Sequence, residues 1–264
     1  MPSAAVNGIE IAYELAGEGP PLLLLNGSGT ALADSALVRA PFVERFEVLA
    51  HDSRGMGASS TPPGPWTMAD HAADVLALLD HLGWERVRLA GISFGGMVSQ
   101  EVAVTAPERI ERLALLCTSA GGDGGGSYPL HELAEMTEEE RAPVATQILD
   151  TRFTPEWLAD HDDHRAIVEL MAARNARERT DAEQRGQALQ IEARRHHDVW
   201  DRLPRITCST LVASGRHDGI APPANGAAIA GRIAGAEQRL YDGGHIFFFQ
   251  DPTAFPEIIE FLVG

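Results

Sequence analysis

The feature that most constrains the fold lies between residues 87 and 117, where strand and helix patterns alternate. Residues 87–92 form a short apolar run typical of a buried strand, residues 94–106 have a helical pattern, and residues 110–117 form a second apolar run. Strands and helices that alternate in this way build a parallel sheet covered on both faces by helices. We therefore predict an α/β fold with a mostly parallel, doubly wound sheet of eight strands.

The alternation stops after residue 120. From about residue 129 to residue 203 the pattern is helical throughout and rich in Glu, Asp, Arg and Ala, with the last of these helices predicted over residues 182–203. A strand pattern returns at residues 210–214, so the helical stretch interrupts the sheet. We predict a helical cap at residues 121–204, inserted between strands 6 and 7 of a core that comprises residues 1–120 and 205–264.

One motif lies at the junction of a predicted strand and a predicted helix. Gly91-Ile92-Ser93-Phe94-Gly95 matches G-x-S-x-G, and this junction is the context that the motif requires. The tight turn holds the serine hydroxyl at the carboxyl end of the strand, beside a helix N-terminus that favours negative charge. The motif therefore predicts that Ser93 is a nucleophile.

A serine hydroxyl is a weak nucleophile and needs a base, which in this strand order follows an acid along the chain. Asp218 comes just after the predicted strand at residues 210–214, and His245 comes just after the one at residues 238–241. Both lie beyond strand ends, where ligands bind in open α/β sheets. We predict that His245 is the base and that Asp218 orients it, with Asp242 as the alternative acid.

An acyl-transfer serine also needs hydrogen-bond donors for the developing oxyanion. The segment Asn26-Gly27-Ser28-Gly29-Thr30 follows a predicted strand, and its glycines allow backbone N–H groups to point into the site. We expect the N–H groups of Ser28 and Phe94 to be the donors. The residues predicted to contact the substrate are Asn26, Gly27, Tyr128, Leu130, Trp157, Met171 and Ile246.

Composition excludes several classes of function. All 21 basic residues are arginine, so no Schiff-base, pyridoxal-phosphate or phosphate-loop lysine and no Ser–Lys dyad is available. The formal net charge of −17 repels the phosphates of nucleic acid. No stretch approaches the roughly 18 consecutive apolar residues of a membrane span, and the N-terminus lacks a secretory signal pattern.

The remaining titratable groups give no sign of a metal site. His161-Asp162-Asp163-His164 and His196-His197 look like surfaces of helices, whereas a metal site needs three or four converging ligands. Cys117 and Cys208 are isolated thiols that fit a reducing compartment. We expect a cytoplasmic monomer or homodimer that needs no metal or cofactor and that binds a small molecule, with no nucleic acid or membrane partner.

Three segments carry a resemblance to a known family. Asp52-Ser53-Arg54-Gly55-Met56-Gly57-Ala58-Ser59 resembles the D-x-R-G-x-G-x-S loop of the α/β-hydrolase superfamily. The segment at residues 26–30 resembles an N-x-x-G-T oxyanion loop, and residues 91–97 resemble a G-x-S-x-G-G-M elbow. Within the superfamily the chain is most similar to 3-oxoadipate enol-lactonase-like and small esterase-like members. The resemblance implies an α/β-hydrolase fold and hydrolysis of an ester or lactone.

Three functions remain open at this point. The first is hydrolysis of a small carboxylic ester or lactone through an acyl-enzyme on Ser93. The second is cleavage of a carbon–carbon bond in a β-diketone-like acid by the same triad, although the enzymes that do this tend to have Asn before the serine, where this chain has Ile92. The third is a non-catalytic ligand-binding protein on the same fold.

Overall fold

The chain begins with a hairpin at the Asn7-Gly8 pair. In the computed structural model, which describes residues 1–133, 135–175 and 177–264, these two turn residues have positive φ angles of 50° and 78°. Positive φ at both central residues gives the mirror-image turn that matches the twist of paired strands. As a result β1 (Ser3–Val6) pairs antiparallel with β2 (Ile9–Ala16).

The hairpin forms one edge of the sheet. Within the described residues the sheet has eight strands in the order β1-β2-β4-β3-β5-β6-β7-β8. β2 also pairs antiparallel with β4, and every later pair of neighbours is parallel. The mostly parallel eight-stranded sheet predicted from the sequence is therefore confirmed. The other strands are β3 (Pro21–Leu25), β4 (Glu47–His51), β5 (Val87–Ile92), β6 (Ile110–Leu116), β7 (Ser209–Gly215) and β8 (Glu237–Tyr241).

Helices cover both faces of the sheet. Phe42 and Ile258, from the helices at the two ends of the chain, pack on one face, and Leu79, Val102 and Ile229 pack on the other. Buried helices on both faces explain why the central strands are apolar along their whole length. The covering helices are α1 (Ala36–Val43), α2 (Met68–Leu82), α3 (Phe94–Thr105), α9 (Pro223–Arg232) and α10 (Ala254–Val263). The sequence patterns do not predict α1, whose eight residues include a proline.

Between β6 and β7 the described residues form helices and no strand, as the sequence predicts. Positions 134 and 176 in this stretch lie outside the described residues, and the domain boundaries at 120/121 and 204/205 stay a prediction. In the described part of the chain no helix is long and apolar enough to cross a membrane. The helices between the two strands are α4 (Leu130–Leu133), α5 (Glu138–Leu149), α6 (Pro155–Asp160), α7 (Asp162–Asn175) and α8 (Asp181–Arg195).

The helix predicted over residues 182–203 is wrong in its last part. α8 ends at Arg195, and the chain turns before a 3₁₀ helix at Trp200–Arg205. Two hydrogen bonds hold the turn: the Asp198 carboxylate accepts the first N–H of the 3₁₀ helix at 3.1 Å, and the Val199 N–H donates to the Ala120 carbonyl at 2.9 Å. The second bond is long-range in sequence, so helical periodicity alone cannot reveal it.

Candidate active site

The turn between β5 and α3 presents Ser93 in strained backbone geometry. Ser93 has φ 55° and ψ −114°, a conformation that residues other than glycine seldom adopt. Close packing requires the two flanking glycines. A Cβ on Gly95 would lie 2.2 Å from the Leu25 carbonyl oxygen, and a Cβ on Gly91 would lie 2.2 Å from Ser99 Oγ. The motif thus places the hydroxyl at the N-terminus of α3, where the helix dipole favours negative charge.

Three side chains from three loops meet at the carboxyl end of the sheet. His245 Nε2 lies 2.9 Å from Ser93 Oγ, and His245 Nδ1 lies 3.0 and 2.9 Å from the two carboxylate oxygens of Asp218. Because a carboxylate only accepts hydrogen bonds, Nδ1 carries the proton and Nε2 keeps its lone pair towards the serine. An imidazole in this position can accept the Ser93 proton while the carboxylate stabilises the imidazolium that forms.

Backbone donors hold the Asp218 carboxylate in its orientation. The side chain is fully buried, and Oδ1 accepts the N–H groups of Ile220 and Ala221, both at 2.8 Å. The loops after β7 and β8 also touch, since the His217 N–H donates to the Gly243 carbonyl at 2.9 Å. The acid and the base are therefore positioned by two loops that pack directly against each other.

Asp242, the alternative acid from the sequence, lies outside this group. Its side chain is 70% exposed and forms an ion pair with Arg152 at 2.8 Å. His217 Nε2 lies 3.8 Å from the same carboxylate oxygen. The Asp242 carboxylate is turned towards Arg152 and solvent, whereas Asp218 occupies the position behind the imidazole.

The loop after β3 passes close to the serine. A Cβ on Gly27 would lie 3.7 Å from Ser93 Cβ. Among the described residues, the N–H groups of Ser28 and Phe94 have no hydrogen-bond acceptor, and Ser28 Oγ is buried without a partner. Donors left unpaired this close to a nucleophile are available to an oxygen of a bound substrate.

The same loop is tied to the helical insertion. The Gly29 N–H donates to Gln190 Oε1 on α8 at 3.1 Å, and this contact is buried. Gln190 Nε2 in turn donates to the Arg54 carbonyl at 3.4 Å. α8 therefore fixes the loop that carries Ser28 relative to the core.

A buried ion pair lies beneath the turn at Ser93. Arg54 donates through Nε and Nη2 to Asp74 at 2.6 and 2.7 Å. Burial lowers the pKa of His51 to about 4, although the negative charge of Asp74 acts in the opposite direction. Burial and the positive charge of Arg54 lower the pKa of His71 to about 3. These four side chains and Asn26 line a cavity with room for about one water molecule. Asn26 thus faces an internal polar space, where its Nδ2 is buried without a partner among the described residues.

The loop that carries His245 is tied to the end of α5. The His245 N–H donates to the Leu149 carbonyl at 2.6 Å. The fully buried Asp150 carboxylate accepts from Arg152 at 2.7 Å and from Gln250 at 2.8 Å. Burial alone would raise the pKa of Asp150, but these hydrogen bonds outweigh it and lower the pKa. Gln250 also accepts the N–H of the residue before His245, at 2.8 Å, so the network continues into the base loop.

The residues predicted to contact the substrate occupy different places. Gly27 lies beside the serine, as described above, and Tyr128 lines a cavity of about 190 Å³ next to the loop after β6. Trp157 instead stacks on His161 at 3.9 Å, and its indole N–H donates to His164 at 2.9 Å. In the described part of the chain, five of the predicted residues line neither this cavity nor the small one beneath the serine, and their roles stay predictions: Gly27, Leu130, Trp157, Met171 and Ile246.

The described residues contain no group of three His, Cys, Asp or Glu side chains that could hold a metal ion. His196 lies at the end of α8 within 2.9 Å of Glu192, four residues earlier. His197, by contrast, is buried, whereas the sequence pattern places both histidines on a helix surface.

Sequence reasoning misses three residues near the site. Gln190 supports the loop after β3, and Arg194 and His197 are buried against the 190 Å³ cavity. For Arg194 and His197 the only signal in the sequence is the run Arg194-Arg195-His196-His197, which reads equally well as a solvated helix surface.

Comparisons with known proteins agree with this fold. The family model described as the alpha/beta hydrolase fold matches residues 20–252. The chain is 31% identical to 3-oxoadipate enol-lactonase 2 of Acinetobacter baylyi over 91% of this chain and 87% of that protein. It is 27% identical to a putative carbamate hydrolase of Azorhizobium caulinodans, over 98% and 97% of the two chains. The crystal structure of the enol-lactonase from Burkholderia xenovorans superposes with a TM-score of 0.82 at 32% identity, covering 100% of both chains.

Proposed function

Because this chain belongs to the alpha/beta hydrolase fold family, we propose that it is a serine hydrolase that cleaves a small carboxylic ester or lactone through an acyl-enzyme intermediate. The observation that carries the proposal is the hydrogen-bonded series from Ser93 through His245 to Asp218, with contacts of 2.9 Å on both sides of the imidazole. This is the arrangement that an alcohol needs in order to act as a nucleophile at neutral pH.

In the first half-reaction Ser93 Oγ attacks the carbonyl carbon of the substrate. The hydroxyl proton moves to His245 Nε2 as the new C–O bond forms, and the carbonyl electron pair moves to oxygen. Asp218 keeps the Nδ1 proton in place and stabilises the positive charge on the ring. Its burial and its two backbone donors keep the carboxylate in one orientation throughout.

The oxyanion is stabilised by the N–H groups of Ser28 and Phe94. Both are unpaired within the described residues, one in the loop beside Ser93 and the other in the residue after it, at the start of α3. Each donor of this kind typically contributes about 3–4 kcal/mol to stabilising the transition state. The unpartnered hydroxyl of Ser28 is a further donor for a substrate oxygen.

When the tetrahedral intermediate collapses, the bond to the leaving oxygen breaks and His245 returns its proton to that oxygen. From an ester the alcohol leaves the site, whereas from a lactone the new hydroxyl stays attached to the acyl chain on Ser93. His245 then takes a proton from water, and the resulting attack releases the acid and restores the serine.

The names of the relatives support hydrolysis of an ester or lactone bond. Two of the three proteins compared above are named enol-lactonases, and the third is named a putative carbamate hydrolase. All three names describe hydrolysis at a carbonyl carbon that bears an oxygen or nitrogen leaving group. Ester and lactone hydrolysis is therefore the reaction that we expect of this chain.

The proposal is tested with a panel of esters and lactones of increasing acyl size, together with a ring-fission dienoate as the substrate for carbon–carbon cleavage. We expect hydrolysis of at least one short ester or lactone, and a loss on the order of 10⁴-fold or more in Ser93→Ala. Turnover of the dienoate alone contradicts the proposal. So does activity of Ser93→Ala that matches the wild type.

A further inference from the structure

A second cavity adjoins the proposed catalytic group. It has a volume of about 190 Å³ and lies between the first turn of α3, the loop after β6 and the end of α8, where it is lined by Met97, Ser119, Tyr128, Arg194 and His197 among others. Met97 N–H donates to the Ser93 carbonyl at 3.1 Å, and the residue before Ser119 donates its hydroxyl to the same carbonyl at 2.8 Å. The cavity walls are thus in direct contact with the backbone of the nucleophile.

Arg194 is a buried cation without a partner in the cavity wall. It is 7% exposed, and within the described residues its guanidinium makes no hydrogen bond or ion pair, with Nε and Nη2 both fully enclosed. The other two buried arginines of the described chain each have a carboxylate, Arg39 with Glu14 and Arg54 with Asp74. An unpaired buried charge is strongly destabilising, so Arg194 is the exception that requires an explanation.

The charge of Arg194 is present at neutral pH. Burial lowers the pKa of Arg194 to about 10, and Asp218 opposes this shift. Among the described residues, the carboxylate that acts on Arg194 is that of Asp218, but its oxygens already accept from His245, Ile220 and Ala221. Within this part of the chain the cation therefore has no counter-ion of its own.

His197 provides a second donor in the same wall. The ring is buried and lies close to the Ser119 carbonyl, but within the described residues neither nitrogen makes a well-aligned hydrogen bond. Burial lowers the pKa of His197 to about 4, while the nearby Ser119 carbonyl opposes this shift. At neutral pH the ring is neutral and carries one N–H that can donate.

We propose that Arg194 and His197 form an anion-binding subsite that receives a carboxylate of the substrate. This inference rests on the proposed function and narrows its substrate class to short esters or lactones that carry an acidic group. A guanidinium is suited to a planar carboxylate, because two parallel N–H groups can donate to its two oxygens. The carboxylate supplies the counter-ion that the described residues do not give to Arg194.

The test compares two esters of equal acyl length, p-nitrophenyl hydrogen adipate and p-nitrophenyl hexanoate. Wild-type enzyme should prefer the charged ester in kcat/KM. Arg194→Met should lose about ten- to a hundredfold in kcat/KM on the charged ester, mainly through KM, and much less on the neutral one. Arg185→Met, which removes an exposed arginine from the same helix, is the matched control and should leave kcat/KM unchanged on both esters. Equal losses on the two esters in Arg194→Met would overturn the subsite.

A binding measurement separates this inference from the proposed function. Adipate should raise the melting temperature of the wild type and leave that of Arg194→Met unchanged. Without ligand, Arg194→Met should melt at a higher temperature than the wild type, because the substitution removes an unpaired buried charge. If Arg194 only supported the fold, Arg194→Met would melt at a lower temperature than the wild type. If no ester or lactone is cleaved but adipate stabilises only the wild type, the subsite stands and the proposed reaction fails. Hydrolysis without charge preference and without an adipate effect overturns the subsite alone.

Discussion

At the scale of single residues, the two acids near His245 in the sequence have different surroundings. Asp218 is buried against the imidazole, while Asp242 is 70% exposed and pairs with Arg152. We predict that Asp218→Asn lowers kcat on an ester by about 10³- to 10⁴-fold, because an amide can neither hold the required tautomer nor stabilise the imidazolium. Asp242→Asn should stay within a fewfold of the wild type. The measurement is the rate constant of both variants on one ester, with circular dichroism to confirm folding.

The reverse ranking of the two variants would show that the acid is misassigned, while Ser93 and His245 could keep their roles. The pair is well matched, because each substitution keeps the shape of the side chain and lies in a loop next to a strand end.

At the scale of secondary-structure elements, α8 is more than a cover for the site. Gln190 on this helix accepts the N–H of Gly29 and thereby fixes the loop that carries Ser28. We predict that Gln190→Leu lowers kcat about tenfold, because the buried N–H loses its acceptor and the loop shifts, at a cost of about 1–3 kcal/mol. Gln184→Leu, an exposed position on the same helix, is the control. A normal kcat in Gln190→Leu would mean that the loop keeps its position without α8.

The end of α5 gives a prediction about stability and pH. Asp150 is fully buried among Arg152 and Gln250, and its pKa is lowered in the folded chain. Its contribution to stability is therefore complete above about pH 4, the value of an unfolded Asp, and is lost as the pH falls through the lower folded-state pKa. We predict that Asp150→Asn lowers the free energy of unfolding at pH 7 by about 1–3 kcal/mol.

The pH dependence distinguishes this account from a simple packing defect. The difference in melting temperature between wild type and Asp150→Asn should narrow as the pH falls below about 4, because the wild-type carboxyl is then protonated as well. A difference that stays constant from pH 7 to pH 3 would contradict it. Asp242→Asn serves as the control, since it removes the exposed partner of the same Arg152 and should change the melting temperature little.

At the scale of the whole molecule, the order of the strands determines how much could be predicted. Parallel strands place their carboxyl ends at one edge, so the loops that follow β5, β7 and β8 bring Ser93, Asp218 and His245 together across 152 residues of sequence. Local signals are enough for this part: a strand pattern, a glycine turn and the chain order of acid and base. The same reasoning predicts the helical insertion between strands 6 and 7.

The contacts between the insertion and the core could not be predicted in this way. Periodicity extends α8 to residue 203, but the regular helix ends at Arg195, and the turn that follows is held by the hydrogen bond between Val199 and Ala120. Arg194 in the last turn of the helix and His197 just after it are buried. Which side of a polar helix faces inward depends on such long-range contacts. The substrate-contact predictions for Trp157 and Met171 remain untested for the same reason.

The central claim, an acyl group carried on Ser93, is tested most directly by mass spectrometry of the enzyme quenched in acid during turnover of p-nitrophenyl acetate. The account predicts a fraction of the protein heavier by one acetyl group, located on the peptide that contains Ser93, and no such species in Ser93→Ala. His245→Ala, which lacks the base for deacylation, should hold any acetyl group that it accepts for longer than the wild type. Turnover with no acetylated protein, or acetylation that persists in Ser93→Ala, would contradict the account.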